Sequence, residues 1–179
     1  SNGTAVLKGL NDLFNLSIDN EQMIYLASKI SSDSPFFVNG GLQIGEKRGE
    51  VLTEINNYES SEYILLVFPE IKIQTIDAFS QIKNHLLNDN MDINFSQLLN
   101  KLETKNYSSR LFKNDFEMYV FKTHPEIGKI KFDLMDLGAI YASLSGTGST
   151  VFGIFSSKEE AKHAQSEISH FHATKLINP

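Results

Sequence analysis

Apolar residues at the start of the chain recur at the spacing of amphipathic α-helices. Five of them fall on one helical face: Val6, Leu7, Leu10, Leu13 and Phe14. We expect this first helix to begin after a cap at Ser1 or Asn2. Asp19 and Gln22 then form a capping-box pattern, which predicts a second helix that ends near Ile30.

Short β-rich runs follow, and turn residues separate them. Residues 36–38 and 42–44 are predicted to pair as a hairpin around Asn39-Gly40-Gly41, because an Asn-Gly pair favours the tight turns that join neighbouring strands. Residues 51–55 form a further predicted strand. The polar run over residues 56–62 is a predicted loop and marks a boundary between two domains.

The second half alternates strand and helix patterns. The predicted strands are residues 63–68, 139–144, 150–155 and 170–176. One helix is predicted over residues 76–87 with Thr75 as its N-cap, and another after a capping box at Asn94. Two more are predicted over residues 109–122 and 125–137. The last begins at a capping box of Ser157 and Glu160 and ends near Ser169. This alternation predicts an α+β fold whose second half is a two-layer sandwich of ferredoxin-like type.

Composition narrows the function classes. Hydrophobic residues make up 41% of the 179 positions and charged residues 21%, as in a globular protein with a sizeable core. The formal net charge is −6 and there is no long basic run, which disfavours a general nucleic-acid or membrane-surface binder. The chain has no cysteine, so disulfides and thiolate metal sites are excluded. With no apolar run of membrane-spanning length and no signal peptide, we expect a cytoplasmic protein.

A loop rich in glycine and hydroxyl groups separates two of the predicted strands. Its sequence is Ser145-Gly146-Thr147-Gly148-Ser149, and we call it the glycine loop. Two glycines let the backbone turn sharply and expose its N–H groups, which suits close approach to an anion. Such loops between strands are commonly turns only, so the pattern alone leaves both interpretations open.

Three further positions have both a functional and a structural interpretation. Asp33 lies in a polar break before a proline, where a carboxylate can face a cleft or serve as a turn residue. Thr75 and Phe79 lie four positions apart and share one helical face. In the functional interpretation, the hydroxyl and the ring hold a planar base; in the structural one, Thr75 is an N-cap and Phe79 a core residue. Taken alone, each pattern is more often structural.

The remaining candidates are weaker. The run Asn114-Asp115-Phe116-Glu117 places three polar groups in an otherwise apolar helix. Such groups bind a ligand or form the exposed face of an amphipathic helix, and the exposed face is the commoner case. His170 and His172 are spaced to share one face of a strand, but no carboxylate cluster in the sequence completes a metal site. We therefore predict no metal site among the protein side chains.

Taken in order, these segments resemble the motifs of the GHMP small-molecule kinases. The segments that carry the resemblance are the tail of a phosphate loop and its helix at residues 1–14, Ser31-Ser32-Asp33-Ser34-Pro35-Phe36-Phe37, residues 44–50, residues 68–79, Asn114-Asp115-Phe116-Glu117 and the glycine loop. Within the superfamily, the match is best to members that phosphorylate a cytidine-diphospho sugar alcohol. It extends from the first residue nearly to the last.

The resemblance implies a role for each matched position. Asp33 matches the catalytic aspartate, which takes the proton of the substrate hydroxyl while ATP, as a complex with Mg²⁺, gives up its γ-phosphoryl group. Ser1 and Asn2 match the end of the phosphate loop, at a helix N-terminus that favours an anion. Thr75 and Phe79 match residues of the cytidine pocket, with Phe79 as the stacking ring. The glycine loop matches the motif that packs beside the phosphate loop and shapes the active site.

The resemblance also implies a domain organisation. Residues 1–58 match the end of a ribosomal-S5-like N-terminal domain and residues 59–179 match a ferredoxin-like C-terminal domain. The N-terminal part of the family pattern, with a lysine that pairs with the catalytic aspartate, has no counterpart, so we expect this chain alone to be inactive or nearly so. ATP and the cytidine-diphospho substrate are the expected partners, and neither nucleic acid nor a membrane is expected. A homodimer is also possible, because an unpaired sheet edge favours association.

Two alternatives remain at this point. One is another kinase of the superfamily, of the homoserine or mevalonate type, which Phe79 and the segment around Asp33 disfavour. The other is a non-catalytic ferredoxin-like binding module in which the glycine loop is only a turn. The kinase hypothesis requires Asp33, Thr75, Phe79 and the glycine loop to surround one cleft.

Overall fold

The fold of the chain is mixed α and β, as predicted. The computed structural model describes residues 2–46, 51–55, 60–86, 95–107 and 112–179. The chain divides into two compact units, Ser1–Tyr58 and Glu59–Pro179, and each has its own hydrophobic core.

The first unit packs short helices beside a two-stranded hairpin. Its elements are α1 (Asn2–Phe14), α2 (Asn20–Ser28), α3 (Phe36–Asn39), β1 (Gln43–Glu46) and β2 (Val51–Glu54). The small core contains Met23 and Ala27 of α2 together with Val38 of α3, and apolar side chains of α1 pack against it. The predicted cap of α2 is confirmed, because the Asp19 carboxylate accepts a hydrogen bond of 2.8 Å from the backbone N–H of Gln22.

The predicted strand over residues 36–38 is wrong, because these residues form α3. Pro35 already has helical backbone angles (φ −55°, ψ −38°), and proline favours the first turn of a helix. Gly40 ends the helix with a positive φ of 70°, and its N–H donates to the carbonyl of Phe36 at 2.9 Å. The hairpin in this unit pairs Gln43 with Glu54, so Asn39-Gly40-Gly41 ends a helix and does not join two strands.

The second unit is a four-stranded antiparallel sheet with helices. Its elements are β3 (Tyr63–Phe68), α4 (Thr75–Leu86), α5 (Phe95–Glu103), α6 (Phe116–Thr123), α7 (Pro125–Asp136), β4 (Tyr141–Leu144), β5 (Val151–Phe155), α8 (Lys158–Ile168) and β6 (Ala173–Ile177). The strand order is β4-β5-β3-β6, which is the order of a ferredoxin-like sandwich. Helices α4, α5 and α6 are inserted between the first strand of that sandwich and its first helix, α7.

The core of the second unit lies between one face of the sheet and helices α7 and α8. Alternate strand residues point into it, such as Leu65 and Val67 of β3, because side chains of a strand alternate between its two faces. Leu134 of α7 is fully buried and approaches β5 closely at Gly153, where an added Cβ would lie 3.1 Å from Leu134 Cδ2. This core fixes the hairpin of β4 and β5, whose connection is the glycine loop.

Several predicted boundaries in the second unit are wrong; the strand predicted from residue 139, for example, begins at Tyr141. The helix predicted over residues 109–122 begins at Phe116, because the Asn114 side chain caps that position from outside the helix. The strand predicted from residue 170 begins at Ala173, because the N–H groups of Phe171 and His172 donate to the Ile168 carbonyl and continue the turn after α8. The predicted cap Asn94 lies outside the described residues, as does residue 87 at the end of the helix predicted over residues 76–87.

Candidate functional site

The glycine loop is a tight connection whose shape requires glycine. The Ser145 N–H donates to the Thr150 carbonyl at 2.8 Å, and the Gly148 N–H donates to the Ser145 carbonyl at 2.9 Å. Gly146 and Gly148 have positive φ angles of 57° and 89°. At Gly148, an added Cβ would lie 3.0 Å from the side chains of both Ile73 and Leu144. Backbone torsion and close packing therefore both select glycine here.

Within the described part of the chain, some backbone N–H groups of the glycine loop have no hydrogen-bond acceptor. No hydrogen bond to a protein acceptor engages the N–H of Gly146 or Thr147. Exposed successive N–H groups in a turn of this kind form a concave anion-binding surface. These two N–H groups of the loop are therefore available as donors.

Thr75 lies directly across from the loop. Its Oγ1 is 3.4 Å from Oγ1 of Thr147, although the sequence separates the two residues by 72 positions. The expectation that Thr75 is the N-cap of α4 is wrong by one residue, because the Gln74 carbonyl accepts from Ala78 and Thr75 is the first helical residue. The Thr75 hydroxyl is therefore directed to the loop and not to its own helix.

Phe79 presents an exposed ring one helical turn beyond Thr75. The residue is 54% exposed, so part of its ring is open to solvent. Its ring meets the ring of Phe116 edge to face, with centroids 4.8 Å apart and planes at 79°. The two rings stand at the rim of a cavity of about 600 Å³ with further aromatic walls at Tyr107, Phe112, Tyr141 and Phe152.

Tyr141 contributes a polar group to this cavity. Its hydroxyl donates to the Phe112 carbonyl, which ties β4 to the segment before α6. Burial raises the pKa of Tyr141; a hydrogen bond with Ser143 lowers it, and the nearby charge of Glu117 raises it further. The net shift is upward, so the phenol stays protonated at neutral pH and acts as a donor.

The run Asn114-Asp115-Phe116-Glu117 makes contacts that the sequence did not predict. We expected a ligand-binding group or, more commonly, an exposed face of a helix. Instead, Asn114 and Glu117 bind the backbone of β4 and of the glycine loop. The Asn114 Nδ2 donates to the carbonyls of Leu144 and Gly146, each at 2.8 Å, and Glu117 Oε1 accepts from the Leu144 N–H at 3.0 Å. The only signal in the sequence was polar residues three positions apart at a helix start.

Asp33 lies in the first unit, in the turn between α2 and α3, and its side chain is exposed. The next residue, Ser34, is buried, and its carbonyl accepts a hydrogen bond of 2.7 Å from Thr4 Oγ1. Gly3 lies so close to Ile30, two residues after the end of α2, that an added Cβ would be 2.9 Å from Ile30 Cγ2. The first turn of α1, which begins at Asn2, is thus packed against the turn that carries Asp33.

The other predicted positions have no such arrangement. Ser1 lies outside the described residues. His170 and His172 precede β6, so they do not share a strand face as we expected. Among the residues that the structure describes, no three His, Asp or Glu side chains are grouped to hold a metal ion. None of the helices in those ranges has the length and the apolar character needed to cross a membrane.

Comparison with known proteins finds similarity to a kinase family. Residues 87–173 match the family model for the C-terminal region of the GHMP kinases. The 4-diphosphocytidyl-2-C-methyl-D-erythritol kinase of Alkaliphilus oremlandii is 36% identical over 175 residues, which cover 96% of this chain and 59% of that relative. The chain therefore spans about three-fifths of the length of this curated relative.

Solved structures show the same fold. The crystal structure of a 4-(cytidine 5'-diphospho)-2C-methyl-D-erythritol kinase has a TM-score of 0.78 at 21% identity, over 97% of this chain and 61% of that chain. The mevalonate kinase of L. major, in complex with R-mevalonate, has a TM-score of 0.63 at 15% identity, over 98% of this chain and 64% of that chain. At these identities, the likeness concerns the fold.

Proposed function

Because residues 87–173 of this chain belong to the C-terminal region of the GHMP kinases, we propose that the chain works as part of an ATP-dependent kinase. Its substrate is 4-diphosphocytidyl-2-C-methyl-D-erythritol, and the γ-phosphoryl group of ATP, as its Mg²⁺ complex, goes to the 2-hydroxyl. The reaction belongs to non-mevalonate isoprenoid synthesis in the cytoplasm. The specific substrate follows from the named relative at 36% identity.

The observation that carries the proposal is the arrangement of Thr75, Phe79 and the glycine loop around one surface of the second unit. The hydroxyls of Thr75 and Thr147 lie 3.4 Å apart, and the exposed Phe79 ring stands one turn further along α4. A cytosine ring stacks on Phe79, because base–aromatic stacking needs an exposed ring face. The diphosphate binds the hydroxyls and the free N–H groups of the loop.

Asp33 is the proposed general base. Phosphoryl transfer has a loose transition state, so positioning and charge stabilisation dominate and one well-placed carboxylate suffices to accept the proton. The contact of Thr4 with Ser34 holds the turn of Asp33 against the first turn of α1. If Asn2 is the end of a phosphate loop, this contact brings the base and the phosphate-binding helix N-terminus together.

The division into two units fits the same proposal. The unit Ser1–Tyr58 corresponds to the end of the ATP-binding domain, and the unit Glu59–Pro179 to the C-terminal domain. Residues that complete the nucleotide site belong, in this proposal, to the part of the relatives that the chain does not cover. We therefore expect little turnover from the chain by itself.

The test is phosphoryl transfer by a fusion protein. The part of the Alkaliphilus oremlandii relative that this chain does not cover is joined to this chain and assayed with ATP, Mg²⁺ and 4-diphosphocytidyl-2-C-methyl-D-erythritol, with phosphorus NMR to identify the product. We expect turnover by the fusion and a loss of about 100- to 10,000-fold in kcat for Asp33→Asn.

Other outcomes separate the alternatives. Unchanged turnover of the folded Asp33→Asn fusion refutes the role of Asp33. Faster phosphorylation of homoserine or mevalonate than of the cytidine compound refutes the proposed substrate. Binding of the cytidine compound without turnover by a well-folded fusion supports the binding-module alternative.

A further inference from the structure

The edge of β4 is bound by side chains where a sheet would have another strand. In the order β4-β5-β3-β6, β4 is an edge strand among the described residues, so one of its two sides faces no other strand. Glu117 Oε1 accepts from the Leu144 N–H at 3.0 Å, and Asn114 Nδ2 donates to the Leu144 carbonyl at 2.8 Å. Both backbone groups of the last residue before the glycine loop are therefore fixed from outside the sheet.

The same two side chains are themselves fixed. The Asn114 amide also donates to the Gly146 carbonyl at 2.8 Å, while its Oδ1 accepts from the Phe116 N–H at 2.9 Å. Glu117 Oε1 accepts from the Ser143 hydroxyl at 2.8 Å, and Glu117 Oε2 accepts from Lys131 Nζ at 2.6 Å. The ion pair is largely shielded, with side-chain exposures of 16% for Glu117 and 24% for Lys131.

Phe116 lies between these two residues in the sequence and faces the other part of the site. Its half-buried ring supports the exposed ring of Phe79 edge to face. One short segment thus contacts both the glycine loop and the proposed stacking ring. Asp115, in the middle of the segment, pairs instead with Lys113 at 3.2 Å.

We propose that Asn114, Phe116 and Glu117 are positioning residues, which hold the glycine loop and the Phe79 ring in the geometry that binds the cytidine diphosphate group. This inference rests on the proposed function, and it assigns a role to side chains that do not touch the substrate. A loop that is already ordered loses less conformational entropy when a ligand binds. The segment therefore raises affinity by preorganisation.

The first test measures order in the loop without any ligand. Amide hydrogen exchange is followed at Leu144, Ser145 and Gly148, whose N–H groups are hydrogen-bonded. The wild type is compared with Asn114→Ala, and Asp115→Asn is the matched control in the same segment. We expect faster exchange of the loop amides in Asn114→Ala, unchanged exchange in the core strand β5, and wild-type exchange in Asp115→Asn. Unchanged loop exchange in a folded Asn114→Ala protein would overturn the proposal.

The second test measures affinity for cytidine diphosphate by calorimetry. We expect a dissociation constant about tenfold higher for Asn114→Ala, since the loop must then be ordered on binding. Glu117→Gln keeps an acceptor for the Leu144 N–H and should bind nearly as the wild type does, whereas Glu117→Ala should not. Equal affinities of the wild type and Glu117→Ala, or a similar loss in Asp115→Asn, would contradict a positioning role.

The two tests also separate this inference from the proposed function. If the wild type does not bind cytidine diphosphate, the proposed function fails, while hydrogen exchange still decides whether the segment orders the loop. If Asn114→Ala does not fold, Glu117→Gln and Glu117→Ala provide the comparison. A loop that exchanges alike in both Glu117 variants would then overturn the inference.

Discussion

The Oγ1 atoms of Thr75 and Thr147 lie 3.4 Å apart, beside the glycine loop that contains Thr147. One belongs to the first turn of α4 and the other to the connection between β4 and β5. Both side chains are at least partly exposed, so burial in the core does not account for their approach. The two hydroxyls lie within hydrogen-bond distance of each other, so this contact joins the first turn of α4 to the glycine loop.

A double-mutant cycle tests whether these hydroxyls act on one ligand. We expect Thr75→Val and Thr147→Val each to raise the dissociation constant for cytidine diphosphate by about 2- to 10-fold, the value of one hydrogen bond. The double variant should lose less than the product of the single effects, because the hydroxyls share one ligand group. Calorimetry gives the affinities, and unchanged melting temperatures are the control for folding. Fully independent effects would contradict a shared site.

The Phe79 ring should contribute to ligand binding beyond its packing against Phe116. We expect Phe79→Ala to weaken cytidine diphosphate binding by about 1–3 kcal/mol, the usual value of base stacking on an aromatic ring. Phe171→Ala is the matched control, because Phe171 is an exposed phenylalanine, at 83%, outside the proposed site. Fluorescence or calorimetric titration measures both. Equal affinities of the two variants would remove Phe79 from the site.

The two glycines of the loop should differ in their tolerance of alanine. Gly146 and Gly148 both have positive φ, so each substitution costs about 1–2 kcal/mol of folding free energy through backbone strain. At Gly148 the new Cβ also meets Ile73 and Leu144, which adds about 1–3 kcal/mol, whereas at Gly146 nothing lies within 4 Å. Urea denaturation measures both. A smaller loss for Gly148→Ala than for Gly146→Ala would contradict the described packing.

Glu62 is a buried carboxylate that joins the start of β3 to the end of α5. Its side chain is 3% exposed and accepts from Lys105 Nζ at 3.1 Å, the Ser60 hydroxyl at 3.0 Å and the Ser61 N–H at 2.9 Å. Burial raises the pKa of Glu62, but the hydrogen bonds from Lys105, Ser60 and the backbone outweigh it, so the pKa lies below its ordinary value.

This lowered pKa predicts a pH-dependent stability. A carboxyl group whose pKa is lower in the folded state stabilises the fold at pH values above its unfolded pKa, and the contribution disappears as the pH falls through the folded pKa. At pH 7 we expect Glu62→Gln to reduce the free energy of unfolding by about 1–3 kcal/mol. The difference from the wild type should shrink below about pH 4. A difference that stays constant from pH 7 to pH 3 would contradict the shift.

Much of the fold follows from local patterns in the sequence. The strand Tyr63–Phe68 is confirmed to the residue because a continuous apolar run before a proline leaves few alternatives. The capping box of α8 is confirmed as well, with the Glu160 N–H donating to Ser157 Oγ at 3.2 Å. Local pattern failed at α3, where aromatic residues favour a strand but Pro35 and the packing of Val38 against α2 favour a helical turn.

The candidate site was predictable only in part. Thr75, Phe79 and the glycine loop were recognisable as residue types that suit a nucleotide. The positions of Asn114 and Glu117 were not, because their partners lie 26–32 residues away in sequence and are mostly backbone atoms, which carry no side-chain identity. A polar residue that binds a distant backbone has the same sequence pattern as one that faces water.

The most direct test of the account maps cytidine diphosphate on this chain by heteronuclear NMR. We expect chemical-shift changes that saturate and are concentrated at Thr75, Phe79 and the glycine loop, with smaller changes at Asn114. Inorganic diphosphate, which has no base to stack, should cause little change at Phe79. Shift changes confined to other surfaces, or none at millimolar nucleotide, would contradict a cytidine-diphosphate site in this unit.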